Sequence, residues 1–76
     1  MEIYAGFIQA QRRGLIETVP FYTTNARSKE EADGIGMKLA REHFPPSDGW
    51  AGHASLAMRI DGTFGKIEPI EEQDGG

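Results

Sequence analysis

Residues 28–44 constrain the fold of this chain more than any other segment, because a start signal, a helical period and a stop signal occur there together. Ser28 and Glu31 have the spacing of a capping box, in which a serine hydroxyl accepts a hydrogen bond from the amide three residues later. Pro45 and Pro46 prevent the helix from continuing. The residues that share one helix face at 100° per residue are Ala32, Ile35, Gly36, Leu39 and His43. The sequence therefore predicts one helix with this face toward the core.

Two glycines inside this helix need an explanation, since each is unfavourable by about 1 kcal/mol relative to alanine. Close packing of Gly36 against a strand would explain one of them. Nothing in the sequence explains the glycine at position 34, Gly34. Met37 lies off the main apolar face, so it is a candidate partner contact on the outer side of the helix.

The first third of the chain predicts a β-hairpin. Residues 2–11 alternate between two faces, and residues 11–14 supply the polar break of a three- to five-residue loop. Residues 15–24 are rich in β-branched and aromatic side chains, which favours a return strand. Pro20 has no amide donor, so this strand is expected at an edge of the sheet or with a bulge.

The remaining strand signals follow the helix. Residues 50–60 show the clearest period of two in the chain. Asp61 and Gly62 are typical of a tight turn, after which residues 63–67 are expected to form a short fourth strand.

These elements predict an α+β fold, with a three- to four-stranded antiparallel sheet of order 2-1-3, in which a fourth strand would lie beside strand 3, and one helix packed on one face. Residues 1–67 are expected to form a single domain, and residues 68–76 an acidic, disordered tail. The predicted core comprises Ile3, Ala5, Phe7, Val19, Phe21, Ala32, Ile35, Leu39, Trp50, Leu56 and Met58. The predicted uncovered sheet face comprises Tyr4, Ile8, Ile16, Tyr22, His53, Ser55 and Arg59.

The net charge of −4 comes from the C-terminal end of the chain. Residues 68–76 hold four of the twelve acidic residues and no Lys or Arg, which leaves eight acids against eight bases elsewhere. A neutral domain lacks the basic surface that non-specific nucleic-acid binding requires, so the charge disfavours a nucleic-acid partner.

Catalytic and metal-binding patterns find no support in the sequence. The chain has no cysteine and two histidines, which lie on different elements without a ligand spacing. His53 and Ser55 share a strand face, but no nucleophile elbow surrounds the serine. We therefore expect no enzyme activity, cofactor or metal.

Membrane and export signals are equally unsupported. No apolar run is long enough for a membrane span, and the N-terminal residues lack the pattern of a signal peptide. The sequence predicts a cytoplasmic protein without a membrane partner.

A protein-binding role is the main functional expectation. Aromatic and arginine side chains on an uncovered sheet face suit a protein interface. The candidate contact residues are Tyr4, Arg12, Arg13, Tyr22, Met37, His53 and Arg59. Two alternatives stay open: a homodimer of structural role, and a β-platform on which single-stranded RNA stacks against Tyr4, Tyr22, His53 and Arg59. A small enzyme or ligand binder would require a concave pocket lined by convergent polar groups.

Residues 24–32 before the helix, the Phe44-Pro45-Pro46 stop and Gly49-Trp50 at the entry to a strand form a pattern similar to that of small proteins of phages and mobile elements. The resemblance covers roughly residues 1–60. Some proteins of this hairpin–helix–strand type are anti-CRISPR or other anti-defence inhibitors that bind and block a host protein. The resemblance thus implies a small viral inhibitor, and it assigns no role to an individual residue.

Overall fold

A computed structural model describes residues 2–60, 70 and 71. The elements in chain order are β1 (Ile3–Arg12), β2 (Leu15–Thr23), α1 (Lys29–His43), a 3₁₀ turn (Pro46–Asp48), β3 (Ala51–Ile60) and β4 (Ile70–Glu71). The sheet has the order β3-β1-β2-β4, in which β1 is antiparallel to both of its neighbours. The helix packs on one face of this sheet. The predicted α+β fold and the predicted strand order 2-1-3 are confirmed.

The two-residue strand β4 lies beside β2 and runs parallel to it, with Phe21 paired with Ile70 and Tyr22 with Glu71. The predicted disordered tail is therefore wrong for Ile70 and Glu71, since β2 offers an unpaired edge that the tail sequence alone could not reveal. The rest of that tail, and the fourth strand predicted over residues 63–67, lie outside the described residues.

The hairpin between β1 and β2 is tighter than predicted. Its loop consists of Arg13 and Gly14 alone, with φ angles of 53° and 80°. Two successive positive φ angles characterise a type I′ turn, whose twist matches that of the flanking strands. A non-glycine residue is uncommon in this region, so Arg13 holds a mildly strained backbone at the tip.

The helix has the predicted bounds. The Ser28 hydroxyl accepts from the Glu31 amide at 3.2 Å, and the Phe44 amide donates to the Ala40 carbonyl oxygen at 2.8 Å. Ser28 and Phe44 are thus the caps of α1, and the chain leaves the helix directly before the two prolines.

Asp33 joins α1 to β3. Its Oδ1 accepts from the Ala57 backbone amide at 2.8 Å, and its Oδ2 accepts from Lys29 Nζ at 2.8 Å. β3 lies at the edge of the sheet, where outward-pointing amides lack a strand partner. The hydrogen bond from Lys29 holds the pKa of Asp33 below its ordinary value, and the Ala57 amide contributes in the same direction. The Asp33 carboxylate therefore supplies the hydrogen-bond acceptor that a neighbouring strand would otherwise provide for the Ala57 amide.

The core lies between α1 and the helix-covered face of the sheet. The buried residues on this side are Tyr4, Ile8, Ala10, Phe21, Thr23, Ala26, Ala32, Ala40, Phe44 and Ala57. Val19, Ile35, Leu39, Trp50 and Ile70 pack against them. The predicted core positions in β2 and α1 are correct in facing this side.

The predicted core positions in β1 and β3 are wrong. Five side chains that the sequence placed under the helix project from the opposite face of the sheet: Ile3, Ala5, Phe7, Leu56 and Met58. Because side chains alternate along a strand, an error of one position moves a whole set to the other face. Tyr4, Ile8, His53 and Ser55 occupy the helix-covered side instead.

Close approach of the helix explains this arrangement. A Cβ atom added to Gly36 would overlap the Ser55 hydroxyl and lie 2.6 Å from Phe21 Cζ. Ala32 and Ala40, one helical turn to either side of Gly36, are fully buried. The helix therefore needs small residues at its contact with the sheet, and the predicted role of Gly36 is confirmed.

Candidate binding surface

The face of the sheet away from α1 carries the residues of β1, β2 and β3 that alternate with the core positions; we call it the open face. Its members are Ile3, Ala5, Phe7, Gln9 and Gln11 of β1, Ile16, Thr18, Pro20 and Tyr22 of β2, and Ala54, Leu56, Met58 and Ile60 of β3. No helix among the described residues covers this face.

Large apolar side chains dominate the open face. Phe7 is 49% exposed, Leu56 57%, Met58 62% and Ile16 64%. Phe7 lies on the central strand, directly between Leu56 on β3 and Pro20 on β2. Scattered exposed apolar residues are ordinary, but a contiguous apolar patch on a small protein is typical of an interaction surface.

The open face is uncharged along the three long strands. These strands contain three charged residues, and all three project to the helix-covered side: Arg12, Glu17 and Arg59. The polar members of the open face are the neutral Gln9, Gln11, Thr18 and Tyr22. A partner of this face must therefore be recognised by shape and apolar contact rather than by opposite charge.

A shallow depression of about 380 Å³ lies on this face, lined by Phe7, Gln9, Thr18, Ala54, Ser55 and Leu56. It lies next to the apolar row of Leu56, Phe7 and Pro20. Its lining contains no charged side chain, so a side chain that enters it would meet apolar walls and a few neutral hydrogen-bonding groups.

Tyr4 does not lie on the uncovered face, where the sequence placed it. It is 6% exposed and belongs to the core beneath the helix. Burial raises the pKa of its phenol above the ordinary value of 10.0, and the Glu2 carboxylate adds to the rise. The prediction of Tyr4 as an open-face residue is therefore wrong, because β1 presents its even-numbered positions to α1.

His53 and Arg59 also lie on the helix-covered side of β3. His53 Nε2 donates to the Phe44 carbonyl oxygen at 2.7 Å, which ties β3 to the end of the helix. Arg59 pairs with Glu2 at 3.2 Å at the opposite end of the strand. Their predicted placement on the uncovered face is wrong for the same reason as that of Tyr4.

The four residues predicted to stack single-stranded RNA do not share a surface. Tyr22 projects from the open face, whereas Tyr4, His53 and Arg59 lie on the other side of the sheet. The structure thus does not assemble the aromatic and cationic set on which that prediction depended.

Ser55 follows His53 on the same side of β3. Its hydroxyl oxygen is buried beneath Gly36 and has no hydrogen-bond partner among the described residues. The position of this hydroxyl is explained by packing between α1 and β3.

Arg12 and Arg13 lie at the hairpin tip as predicted, but they differ in their surroundings. The Arg12 guanidinium lies 4.4 Å from the centre of the Trp50 ring and donates to the Asp48 carbonyl oxygen at 3.1 Å. The Trp50 ring in turn packs on Phe44, with 4.8 Å between ring centres. Arg12 therefore fastens the hairpin to the 3₁₀ turn, while Arg13 is exposed in the turn itself.

Met37 is half-buried on α1, away from the open face. The predicted contact residues consequently fall on three separate regions: Tyr22 on the open face, Arg12 and Arg13 at the hairpin tip, and the others on the helix side. The apolar residues Phe7, Leu56 and Met58, which are neighbours on the open face, were missed as contact candidates because their size favoured a core assignment.

Other kinds of site receive no geometric support in the described part of the chain. Within residues 2–60, 70 and 71, no three histidine, aspartate or glutamate side chains converge. No described helix combines the length and apolar character that a membrane crossing requires. His43 is exposed and packs edge-on against the Phe44 ring, with 4.8 Å between ring centres.

Comparison of this chain with protein-family models, with curated proteins and with solved structures finds no match.

Proposed function

We propose that this protein is a non-catalytic protein-binding module whose contact surface is the open face. The observation that carries the proposal is the exposure of Phe7, Leu56 and Met58 side by side on a face whose positions on the three long strands carry no charge. A partner that covered these side chains would gain about 25 cal/mol of favourable free energy for each Å² of apolar surface removed from water. The proposal keeps the cytoplasmic location that the sequence predicts.

The size of the chain supports the same conclusion. A domain of 76 residues buries only about 60% of the surface that its unfolded chain exposes. The open-face residues Phe7, Leu56 and Met58 contribute little to the core, so an intermolecular contact is the role that we propose for these large apolar side chains.

Site-specific photocrosslinking tests this proposal. A benzoylphenylalanine placed at Leu56 should form discrete adducts with protein in cells that make the module, because the probe lies within the contact. The matched control is the same probe at Leu15, which is 68% exposed and projects to the other side of the sheet. Adducts of equal yield at both positions, or none at Leu56, would contradict the proposal.

A narrower function is inhibition of a host defence protein. It is motivated by the resemblance of residues 24–32 and 44–50 to small phage proteins, together with the uncovered apolar surface. Expression of the chain in cells with an active CRISPR system should then restore plating of a targeted phage, and Leu56→Lys should abolish the effect. Unchanged phage plating would remove inhibition of that system while leaving the binding module intact.

A further inference from the structure

We propose that Asp33 closes the outer edge of β3 against a further β-strand and so prevents the chain from associating edge to edge. This role goes beyond the proposed function, because it concerns an edge of the sheet and does not depend on the open face. Three observations support it: the composition of β3, the contact of Asp33 with the Ala57 amide, and the contrast with the opposite edge of the sheet.

β3 is a ten-residue strand at one end of the sheet, with no strand on its outer side among the residues that the structure describes. An edge strand of this length is a template for pairing with another chain, unless charged residues, prolines, bulges or a covering element interrupt it. Residues 51–58 contain neither a charged residue nor a proline. Along most of β3, two of these protections are therefore missing.

Two other features interrupt this edge. At the start of the strand, Gly52 has a φ angle of 64° and the register with β1 shifts, so the edge is irregular there. Over residues 54–60 the pairing with β1 is regular. Ala57 is the middle residue of this regular part, and Asp33 contacts the strand at that residue.

The Asp33 carboxylate occupies the position that a carbonyl oxygen of an added strand would need. In an antiparallel pair, successive residues alternate between directing both backbone groups at the partner strand and directing both away from it. The Ala57 amide donates to Asp33 Oδ1 at 2.8 Å, so the backbone groups of Ala57 point away from β1. Ala57 is also fully buried, although its strand lies at the edge. The helix thus covers the centre of the regular edge.

Lys29 holds the carboxylate in this position. Its Nζ atom donates to Asp33 Oδ2 at 2.8 Å, so each carboxylate oxygen has its own donor. A hydrogen bond to an ionised acceptor is roughly twice as strong as one between neutral groups. An incoming strand would offer the Ala57 amide a neutral carbonyl oxygen, which would replace a stronger hydrogen bond with a weaker one.

The opposite edge of the sheet is closed by different means. Since Ala57 points away from β1, its partner Gly6 directs its backbone groups at β2, and the alternation places the nitrogen of Pro20 on the outer side. Pro20 has no amide hydrogen to donate there, and β4 pairs with the two residues that follow it. The edge at β2 is therefore interrupted by its own sequence and by β4, whereas the edge at β3 depends on a side chain from α1.

Two substitutions at position 33 test the proposal. Asp33→Ala removes the acceptor and opens the edge, whereas Asp33→Asn retains an oxygen for the Ala57 amide and is the matched control. In sedimentation velocity across a concentration series, Asp33→Ala should self-associate at least tenfold more tightly than the wild type. Asp33→Asn should behave as the wild type does.

Amide hydrogen exchange locates the contact. In dilute Asp33→Ala the Ala57 amide should exchange at least tenfold faster than in the wild type, because it has lost its acceptor. This exchange should slow as the protein concentration rises and another strand pairs with β3. In the wild type and in Asp33→Asn, the exchange rate of this amide should not depend on concentration.

A second background separates association from loss of folding. Asp33→Ala is also measured together with Gly34→Ala, because no atom lies near the added methyl group and alanine favours the helix; circular dichroism verifies that each variant folds. Folded Asp33→Ala that stays monomeric to several hundred micromolar in both backgrounds overturns the proposal. Association of equal strength in the wild type and both variants at position 33 also overturns it, as does association that leaves exchange at Ala57 independent of concentration.

Discussion

The two faces of the sheet are built from alternate residues of the same strands. A simple hydrophobic expectation would place the large apolar side chains under the helix and the smaller or charged ones on the other face, but several of them lie the other way round. The helix-covered face is rich in small residues and includes the charged Arg12, Glu17 and Arg59 at its margins, whereas the open face is uncharged and carries Phe7, Leu56 and Met58. The difference teaches that close approach, and not side-chain size, selects the face on which this helix packs.

Gly36 shows the requirement most directly, since a Cβ atom added to it would lie 2.6 Å from Phe21 Cζ. Gly6 shows close approach within the sheet instead, because a Cβ atom there would lie 2.8 Å from the Cα atom of Ala57 on the neighbouring strand β3. Phe21 of β2 packs beneath α1 and is, with Phe44, one of the two largest fully buried side chains among the described residues. Large residues at every core position would hold the helix away from the sheet and leave gaps around Phe21.

The largest expected effect contrasts two phenylalanines on opposite faces. Phe21→Ala should lower the free energy of unfolding by about 3–5 kcal/mol, because it leaves a cavity in the core. Phe7→Ala should lower it by only about 1 kcal/mol, because Phe7 is already half-exposed. Urea titrations of the two variants and the wild type measure both values. Equal losses would show that both faces are covered in the monomer.

Two glycines in the same helix sharpen the comparison. Gly36→Ala should cost about 1–3 kcal/mol, since the new methyl group has no space against Phe21. Gly34→Ala should stabilise the protein by about 0.5–1 kcal/mol, because no atom lies within 4 Å of its added Cβ and alanine favours the helix. Thermal unfolding of the two variants gives the sign of each effect. Stabilisation by Gly36→Ala would contradict close packing of helix and sheet.

The smallest expected effect concerns Asp33 at the edge of the helix-covered face. Asp33→Asn retains an oxygen that can accept from the Ala57 amide but removes the charge that attracts Lys29. The Asp33 side chain is 30% exposed, so solvent screening limits the loss at neutral pH to about 1 kcal/mol or less. Equilibrium unfolding of wild type and variant at pH 7 measures it.

The pH dependence of that difference has a defined sign. The pKa of Asp33 is lower in the folded protein than its ordinary value of 3.8. Its contribution to stability is therefore fully present above the unfolded pKa and is lost as the pH falls through the folded pKa. The gap between wild type and Asp33→Asn should accordingly close below about pH 4; a gap that widens in acid would contradict the ion pair.

Local signals in the sequence were sufficient to predict the helix, its caps and the order of the three long strands. Ser28, Glu31 and Pro45 mark the two ends of α1 through local contacts along the chain. The alternating residues 50–60 correspond to strand β3 (Ala51–Ile60). The role of Gly36 was also predictable, since a buried helix face tolerates a glycine where a strand comes close.

The assignment of faces could not be predicted in the same way. It depends on which alternate set of β1 and β3 meets α1, and the two sets differ by one residue. The apolar character of Phe7, Leu56 and Met58 pointed to the core, whereas the informative residue of β3 was the small Ala57, which is fully buried and whose amide donates to Asp33 of α1. The candidate contact residues followed that error, so Tyr22 alone of the predicted aromatic contacts lies on the open face.

The most direct test of this account compares two adjacent residues on β3. The chain has no cysteine, so Met58→Cys and Ala57→Cys each introduce a single thiol, on the open and helix-covered faces respectively. Maleimide should label position 58 at nearly the rate of a free thiol in dilute solution, because Met58 is 62% exposed, while position 57 stays protected until the protein unfolds, because Ala57 is fully buried. Rapid labelling at position 57 with protection at position 58 in dilute solution would contradict the account.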